Sequence, residues 1–262
     1  ARGKSRSVAS YTIVDQVNAL VDNGFNEIVL TGIQLGSYGR DLKPQLSFSG
    51  LIEIILKNTE IKRIRFSSLG VNEIDERLLE LLKETRICRH LHIPLQSGDD
   101  AILMRMKRPY KTASYRKTAT ELMKKIPDIS IGTDVIVGFP GESEESFLNM
   151  MNFIDGIPFS YLHIFPYSSR PGSLASHMTD QIAFTEKKKR YDQLSKLHKR
   201  KRISFIESQI DKILDIIIEE KDPVTGMVGT SSNYLKITVP SDTHEKKSLI
   251  SVRVTGKDGD AL

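Results

Sequence analysis

The stretch CRHLHIPLQSG, which runs from Cys88 to Gly98, decides the fold class. The apolar run between Leu91 and Leu95 has the length of a strand, and it ends in Gln, Ser and Gly. Small residues let a ligand approach the backbone, and polar ones can hydrogen-bond it. The segments DVIVGFPGES and HIFPYSSRPGS end in the same way, so the pattern indicates a ligand at the ends of several strands.

Strand-like segments alternate with helical ones over roughly the first 180 residues. Five strands are predicted, each with a polar or glycine-rich end: EIVLTGIQLG, IKRIRFSSLG, HLHIPLQSG, ISIGTDVIVGFPGES and YLHIFPYSSRPGS. The apolar spacing predicts helices over residues 11–25, 51–59, 74–85, 114–126 and 144–155. Such alternation favours parallel strands joined by helical crossovers, that is an α/β barrel or a doubly wound sheet, with the ligand at the carboxyl ends of the strands.

The pattern changes after residue 173. Residues 184–210 predict one long helix that carries nine Lys or Arg between Lys187 and Arg202, with Asp192 as the single acid in that interval. The segments KILDIIIEE, GMVGTSSNYLKITVP and SLISVRVTG follow, and short β segments separated by turn residues are typical of a small all-β module. We therefore predict two domains, residues 1–203 with the basic helix and residues 204–262.

Composition narrows the class of protein. The 38 basic and 33 acidic residues give a net charge of +5, and most of the excess lies in the last third of the chain. This favours a polyanionic partner, although a solvated helix face would also explain it. No apolar run is as long as a membrane span, so no membrane partner is expected. The single cysteine, Cys88, makes no intramolecular disulfide and holds no iron–sulfur cluster alone, which fits a buried structural thiol in a cytoplasmic protein.

Histidines raise the question of a metal site. His90 and His92 lie on the same face of a strand, and His163 lies on the last strand of the alternating region. No third ligand has a suitable spacing, so histidines with hydrogen-bond partners inside the barrel are the favoured interpretation and no metal ligand is assigned. No Ser-His-Asp set or carboxylate pair is found, and no catalytic side chain is assigned.

The order of motifs resembles that of the radical S-adenosylmethionine (SAM) methylthiotransferases. The stretches are ARGKSRSV, EIVLTGIQLGSYGRDL, RIRFSSLG, HLHIPLQSGDD, GTDVIVGFPGESEESF and HIFPYSSRPGS. GMVGTSSNYLKITV resembles the TRAM module, a small RNA-binding β-barrel. LTGIQLGSYG is most similar to the branch that acts on N6-threonylcarbamoyladenosine beside the tRNA anticodon. The branches for isopentenyladenosine and for a ribosomal protein are the alternatives.

The resemblance implies an α/β fold, a partial (β/α) barrel with its first strand missing, followed by a TRAM-like barrel. It implies that a 4Fe–4S cluster and SAM generate a radical that abstracts hydrogen from adenine, and that C2 receives a methylthio group. The parent protein would carry two clusters and would need an external electron donor and a sulfur source, with the tRNA anticodon stem-loop as substrate. The cluster cysteines are expected upstream of Ala1, so this fragment is expected to hold no cluster and to be inactive.

The resemblance also assigns residues. SAM is expected to contact the strand ends through Thr31, Gly32, Gln34, Ser67, Gln96, Asp134, Val137, Gly138 and Phe165. The two glutamines can donate and accept at once, and Asp134 would face the sulfonium or cap the barrel. The tRNA is expected to contact Arg2, Lys4, Arg6, Lys199, Arg200, Lys201, Asn233 and Tyr234. Asn233 would offer its amide and Tyr234 its aromatic face to unstacked bases, or Tyr234 would belong to the core of the module.

Two alternatives and one departure accompany the resemblance. The fragment would otherwise be a catalytically inactive RNA-binding module, or an unrelated α/β-barrel enzyme for a phosphorylated metabolite. The latter predicts a glycine-rich phosphate cradle, for which SSRPGS is a poor match. The departure is Gly70, which stands where the family commonly has an acidic residue and leaves the usual role of that strand end in doubt.

Overall fold

The structure is a computed structural model that describes residues 5–222, 226–240 and 243–257. Its helices are α1 (Ser10–Asp22), α2 (Phe48–Asn58), α3 (Glu76–Leu81), α4 (Asp100–Arg105), α5 (Thr112–Lys125), α6 (Glu144–Asp155) and α7 (Phe184–Glu207). Its strands are β1 (Glu27–Leu30), β2 (Arg63–Phe66), β3 (His90–His92), β4 (Ser130–Val137), β5 (Tyr161–Pro166), β6 (Ile213–Asp222), β7 (Gly226–Ser231), β8 (Lys236–Val239) and β9 (Leu249–Arg253).

The five predicted strands are present, and helices separate them along the chain. Strands β1 and β2 pair in parallel, with Glu27 opposite Arg63. Strands β3, β4 and β5 form a second sheet in that order, and β4 and β5 are parallel with Asp134 opposite His163. This confirms the parallel α/β arrangement. The partial barrel itself belongs to the proposals below.

Helix ends and apolar faces explain why these segments fold as they do. Helix α6 begins after Ser143, whose hydroxyl accepts a hydrogen bond from Ser146 N at 3.0 Å. Its residues Phe147, Met150 and Ile154 recur at helical spacing and are buried. Gly24, just after α1, has φ +76°, which is the left-handed conformation that ends many helices.

Two helix predictions need correction. The short helix α4 was not predicted, although Asp99 caps its first turn by accepting from Ile102 N at 3.0 Å. The long basic helix ends at Glu207 rather than at residue 210. Among the described residues, no helix combines the length and the apolar character needed to cross a membrane.

The C-terminal strands form one antiparallel sheet in the order β8-β7-β6-β9. Strand β6 pairs with both β7 and β9, and a register shift between Ile218 and Glu220 bends it. In the part of the chain that the structure describes, β8 and β9 do not pair, so the sheet is not closed. The structure thus contains the predicted all-β segment as an open sheet, and a TRAM-like barrel is not seen.

Contacts divide the chain into two units. The first holds the residues up to Leu91, the segment Lys125–Ser130 and the residues from Ile206 onward. The second holds His92–Lys124 and Ile131–Phe205. Each unit is described by itself below, and the predicted division into residues 1–203 and 204–262 stays a prediction.

Candidate active site

The first unit has a cavity of about 670 Å³ at the carboxyl end of β1. Its lining includes the predicted SAM contacts Thr31, Gly32 and Gln34 beside the apolar residues Val29 and Leu30. A volume of several hundred Å³ with a mixed lining is typical of small-molecule sites. The strand end that the sequence singled out therefore borders a cavity large enough for a ligand of this class.

The lining of this cavity also includes the segment around Arg6, a residue predicted to contact tRNA. Ser7 fixes this segment, since its backbone N and its Oγ donate to the Asp41 carboxylate at 2.9 and 2.6 Å. Gly39 N in turn donates to Ser7 Oγ at 2.9 Å. Hydrogen bonds from Ser7 hold the pKa of Asp41 below its ordinary value. The structure thus places Arg6 with the SAM candidates, while Arg2 and Lys4 lie outside the described residues.

The polar groups of the first unit suit SAM, which carries hydroxyls, an amino-acid head and an adenine. Thr31 and Gln34 are exposed in the cavity lining, and no side-chain hydrogen bond occupies the Gln34 amide among the described residues. The Ser67 hydroxyl oxygen is buried and has no hydrogen-bond partner in the described part of the chain. Unused donors and acceptors of this kind fit a polar ligand.

In the segment after β2, where Gly70 replaces the acidic residue common in the family, a carboxylate is present three residues later, at Glu73. Gly70 N donates to Glu73 Oε2 at 2.8 Å. A Cβ at Gly36 would lie 2.4 Å from the Glu73 Cβ, so Gly36 leaves the space that Glu73 fills. Glu73 therefore packs against the loop after β1, and its carboxylate caps the backbone of its own turn.

The second unit brings together three titratable side chains from three neighbouring strands. Asp134 Oδ1 lies 3.0 Å from His92 Nε2 and 3.2 Å from His163 Nδ1. Burial raises the pKa of Asp134, but the hydrogen bonds and charges of His92 and His163 outweigh it, and the pKa is lowered. The sequence found no third group near the histidines. The structure shows that Asp134 is that group, because the parallel register sets it opposite His163.

The other SAM candidates of the second unit lie on or beside the same strands. Gln96 has φ +68°, a backbone conformation that is uncommon for a residue other than glycine, and no side-chain hydrogen bond is found for it among the described residues. Phe165 is half exposed, with its ring centroid 6.4 Å from that of His163. The buried Val137 accepts a hydrogen bond from Tyr167 N at 2.8 Å, so it shapes the strand end through its backbone.

Gly138 has a packing role that the sequence did not indicate. It was expected to leave room for the adenine of SAM, but a Cβ there would lie 2.4 Å from Lys187 Cγ. Gly138 N donates to the buried Glu142 Oε1 at 2.9 Å, and φ is +70°. The glycine is thus required by its backbone conformation and by the packing of Lys187, and its open side is already filled.

Cys88 is buried, as predicted. Its Sγ lies 3.6 Å from Glu27 Oε2, and Glu27 also pairs with Arg65 Nε at 2.9 Å. Burial raises the pKa of the Cys88 thiol, and the Arg65 guanidinium offsets only part of that effect. A 4Fe–4S cluster needs several thiolates, so the residues of this chain do not fit one.

The turn between β7 and β8 carries the two predicted base contacts, Asn233 and Tyr234. The first is buried and the second is exposed. Asn233 is buried, where it accepts from Ser231 Oγ at 2.6 Å and donates to Gln209 Oε1 at 3.0 Å. Its amide is therefore engaged within the first unit, and the expected base contact stays a prediction. Tyr234 is 46% exposed with φ +67°, and its ring stacks on that of His90. The phenol ring remains the candidate for stacking.

The basic helix α7 also divides into two sets of cations. Lys201, with a side chain only 9% exposed, donates to the carbonyls of Asp155 and Ile157 at 2.9 and 2.7 Å. Burial lowers its pKa. Arg200 pairs with Asp155 at 2.7 Å. These two predicted phosphate contacts are engaged within the second unit, and their contact with tRNA stays a prediction.

Lys199 belongs to the other set of α7 cations. Lys199, Lys188 and Lys196 are all exposed, and none of them makes an ion pair in the described part of the chain. The prediction named Lys199 but not Lys188 or Lys196. Positions 188, 196 and 199 lie on one side of a helix of 3.6 residues per turn. Sequence spacing would have selected them, but only the structure shows which cations are already paired.

Comparison with curated proteins finds tRNA-modifying enzymes. The chain is 37% identical to the threonylcarbamoyladenosine tRNA methylthiotransferase MtaB of Bacillus subtilis (strain 168), over 97% of this chain and 57% of that protein. It is 43% identical to MtaB of Aquifex aeolicus (strain VF5), over 90% of this chain and 56% of that protein. The chain is 33% identical to a tRNA-2-methylthio-N(6)-dimethylallyladenosine synthase of Symbiobacterium thermophilum, over 97% of this chain and 56% of that protein. The chain thus spans somewhat more than half the length of these relatives.

A solved structure and a family model define the class. Coproporphyrinogen III oxidase (HemN) of Escherichia coli, described as a radical SAM enzyme, superposes with a TM-score of 0.53 at 15% identity, covering 76% of this chain and 48% of HemN. At that identity the likeness concerns the fold alone. The model of the radical SAM superfamily matches residues 1–154, more than half of the chain. Together with the parallel strands and the cavity at the carboxyl end of β1, this match shows that the chain belongs to the radical SAM superfamily.

Proposed function

We propose that the chain is the catalytic region of a tRNA methylthiotransferase, which adds a methylthio group to C2 of N6-threonylcarbamoyladenosine beside the anticodon. The observation that carries the proposal is the 37% identity to an MtaB protein over 97% of the chain. A relative named for the dimethylallyladenosine substrate matches over the same share at 33%. The difference favours the threonylcarbamoyl substrate, and the reaction would take place in the cytoplasm.

The predicted SAM contacts are considered separately for each unit. In the first unit, Thr31 and Gln34 would hydrogen-bond it and Ser67 would use its unpaired hydroxyl. In the second unit, Gln96 would offer its free amide, and Phe165 a half-exposed ring. When bound, SAM supplies the radical source and the methyl group of the reaction. The contribution of these residues is to hold it in a fixed orientation and to exclude water from it.

The iron–sulfur clusters are assigned elsewhere. We place both 4Fe–4S clusters of the parent enzyme outside these 262 residues, because Cys88 is the single cysteine of the sequence and its thiol is buried beside Glu27. The 262 residues alone would then bind substrate without turning it over. The electron donor and the sulfur source are external in this proposal.

The tRNA anticodon stem-loop would contact two separate features. The exposed lysines of α7 would pair with phosphates, and the ring of Tyr234 would stack on an unpaired base. The open sheet β6–β9 would correspond to a TRAM-like module within the predicted domain of residues 204–262. The predicted partial barrel would span residues 1–203.

The test uses the full-length parent enzyme with SAM, sulfide, a reductant and tRNA. Two tRNA substrates are compared, one with N6-threonylcarbamoyladenosine and one with N6-isopentenyladenosine at the same position. Nucleosides from the digested tRNA are analysed by mass spectrometry. We expect the methylthio product from the first substrate only. Modification of the isopentenyl substrate alone, or of neither, would overturn the proposed function.

A matched pair of variants tests the cavity. Gln34→Ala removes an amide that lines it, whereas Gln45→Ala removes an exposed amide of the same loop outside the lining. We expect Gln34→Ala to weaken SAM binding by the parent enzyme at least several-fold and Gln45→Ala to leave it unchanged. Equal SAM affinities in all three proteins would remove this cavity from the proposal.

A further inference from the structure

We propose that His92, Asp134 and His163 form a binding site for one divalent transition-metal ion of the Zn²⁺ or Co²⁺ class. The proposal is independent of the proposed function, since it concerns a cluster within the second unit and does not require SAM, a cluster or tRNA. One ligand atom from each residue lies within 4.8 Å of the other two. The three residues come from β3, β4 and β5, so the sheet itself fixes their separation.

The distances suit an ion. Metal bonds of 2.0–2.1 Å in a tetrahedral site set ligand atoms about 3.3 Å apart. Asp134 Oδ1 lies 3.0 Å from His92 Nε2 and 3.2 Å from His163 Nδ1. These two separations are within a few tenths of an ångström of the tetrahedral value, and the two histidine nitrogens lie within 4.8 Å of each other.

Tyr161 orients one ligand. Its hydroxyl lies 3.1 Å from His92 Nδ1, so the other ring nitrogen, Nε2, faces Asp134. Gly132 makes this possible, because a Cβ there would lie 1.9 Å from Tyr161 Cζ. A hydrogen bond to the second ring nitrogen of a metal-binding histidine is a common feature of such sites. The glycine in β4 and the tyrosine in β5 thus serve the orientation of His92.

Exposure provides a path for the ion. The side chains of His92, Asp134 and His163 are 10%, 24% and 56% exposed, so the cluster is closed at His92 and open at His163. An ion could enter from the His163 side and keep a coordination position for water.

The chemistry of the ligands selects the metal. Two neutral imidazoles and one carboxylate carry a net charge of −1, which favours a divalent cation. Imidazole suits zinc, cobalt, nickel and iron, whereas calcium and magnesium prefer sets of oxygen atoms. Three protein ligands with an open position are typical of metal sites that bind a further ligand.

The experiment uses the untagged 262-residue chain, treated with a chelator and then desalted. Co²⁺ is titrated while its visible absorption is followed, and Zn²⁺ is then added to displace it. We expect one equivalent of Co²⁺ to bind and Zn²⁺ to replace it. Asp134→Asn and His163→Ala should each weaken binding at least tenfold, and Tyr161→Phe should weaken it 10- to 100-fold. His177→Ala, an exposed histidine of the same unit, is the matched control and should change nothing.

Two results would overturn the site. One is an equal Co²⁺ affinity in the unsubstituted 262-residue chain, the Asp134→Asn variant and the His163→Ala variant. The other is the absence of a stoichiometric Co²⁺ signal from the parent chain. Circular dichroism checks that each variant is folded. If Asp134→Asn does not fold, His163→Ala decides the outcome, because the more exposed His163 side chain can be removed with little loss of packing.

Discussion

The rings of Tyr234 and His90 stack with 4.3 Å between their centroids and 19° between their planes. Tyr234 is 46% exposed, and the Arg65 guanidinium lies over its ring, 5.2 Å from the centroid. We predict that Tyr234→Ala weakens tRNA binding by about 1–3 kcal/mol, the value of one base–aromatic stack, without changing its salt dependence. Filter binding of tRNA at several salt concentrations measures both. Tyr11→Ala, which removes a more exposed tyrosine from α1, is the control and should bind as the parent chain does.

The exposed lysines of α7 that make no ion pair in the described part of the chain are predicted to affect the salt dependence of tRNA binding, unlike Tyr234. Replacing Lys188, Lys196 and Lys199 by Glu should weaken tRNA binding and flatten the slope of log affinity against log salt, which is about −0.7 to −0.9 for each phosphate neutralised. Reversing the exposed residues Lys57, Lys62 and Lys117 changes the net charge equally and serves as the control. If both triple variants lose affinity alike, net charge rather than this face of α7 attracts the RNA.

Lys201 should respond to substitution through stability instead. Lys201→Glu places a carboxylate against the carbonyls of Asp155 and Ile157, which now accept from the ammonium. We expect a lower melting temperature, because repulsion replaces two hydrogen bonds in a part-buried site. Thermal unfolding of Lys201→Glu beside Lys199→Glu measures the difference. A melting temperature equal to that of Lys199→Glu would contradict this structural role.

Gly39 is predicted to tolerate no side chain. Its φ is +77°, and an added Cβ would lie 1.8 Å from the Leu46 carbonyl oxygen. Gly39→Ala should therefore destabilise the chain by a few kcal/mol, on the order of 1–3 for the backbone conformation alone. It should also disturb the hydrogen bond from Gly39 N to Ser7 that holds the cavity wall. Urea unfolding measures the loss, and Gly172→Ala, at similar φ but with open space around it, isolates the cost of the backbone.

The Cys88 thiol should be unreactive in the folded chain. It is buried and its pKa is raised, so little thiolate forms and reagents have little access. Ellman's reagent should label it only as urea unfolds the chain, and reconstitution with iron and sulfide should give no stoichiometric 4Fe–4S spectrum. Fast labelling in buffer, or a cluster spectrum that persists in Cys88→Ala, would contradict the buried site.

Asp134 should make stability depend on pH at the acid end. Its folded-state pKa is lowered, so the unfolded chain binds more protons in this window and stability rises with pH. The contribution is complete above the ordinary carboxyl pKa of about 3.9 and is lost as pH falls through the lowered folded value. In the presence of a chelator, the urea midpoint of the parent chain should exceed that of Asp134→Asn at neutral pH, and the gap should close below about pH 4. A gap that stays constant at every pH would refute the assignment.

The sequence predicts the alternating strands and helices well, because their apolar periods are local and long. It misses α4, since six residues between a cap and a turn carry too little periodicity. It also misses the grouping of Asp134 with His163, which depends on the register of parallel strands distant in the chain. The role of Asn233 could not be read from residue type, because its burial follows from hydrogen bonds within the turn.

Helix α7 is fastened near both of its ends. Arg190 pairs with the buried Glu142 at 2.7 Å, and Lys201 donates to carbonyls at the end of α6. Lys188 and Lys199 are eleven residues apart, about 16 Å along a helix axis. Because the helix is held at two points, the backbone positions of its exposed lysines keep a fixed separation. A polyanion that binds this face must therefore present phosphates at a matching spacing.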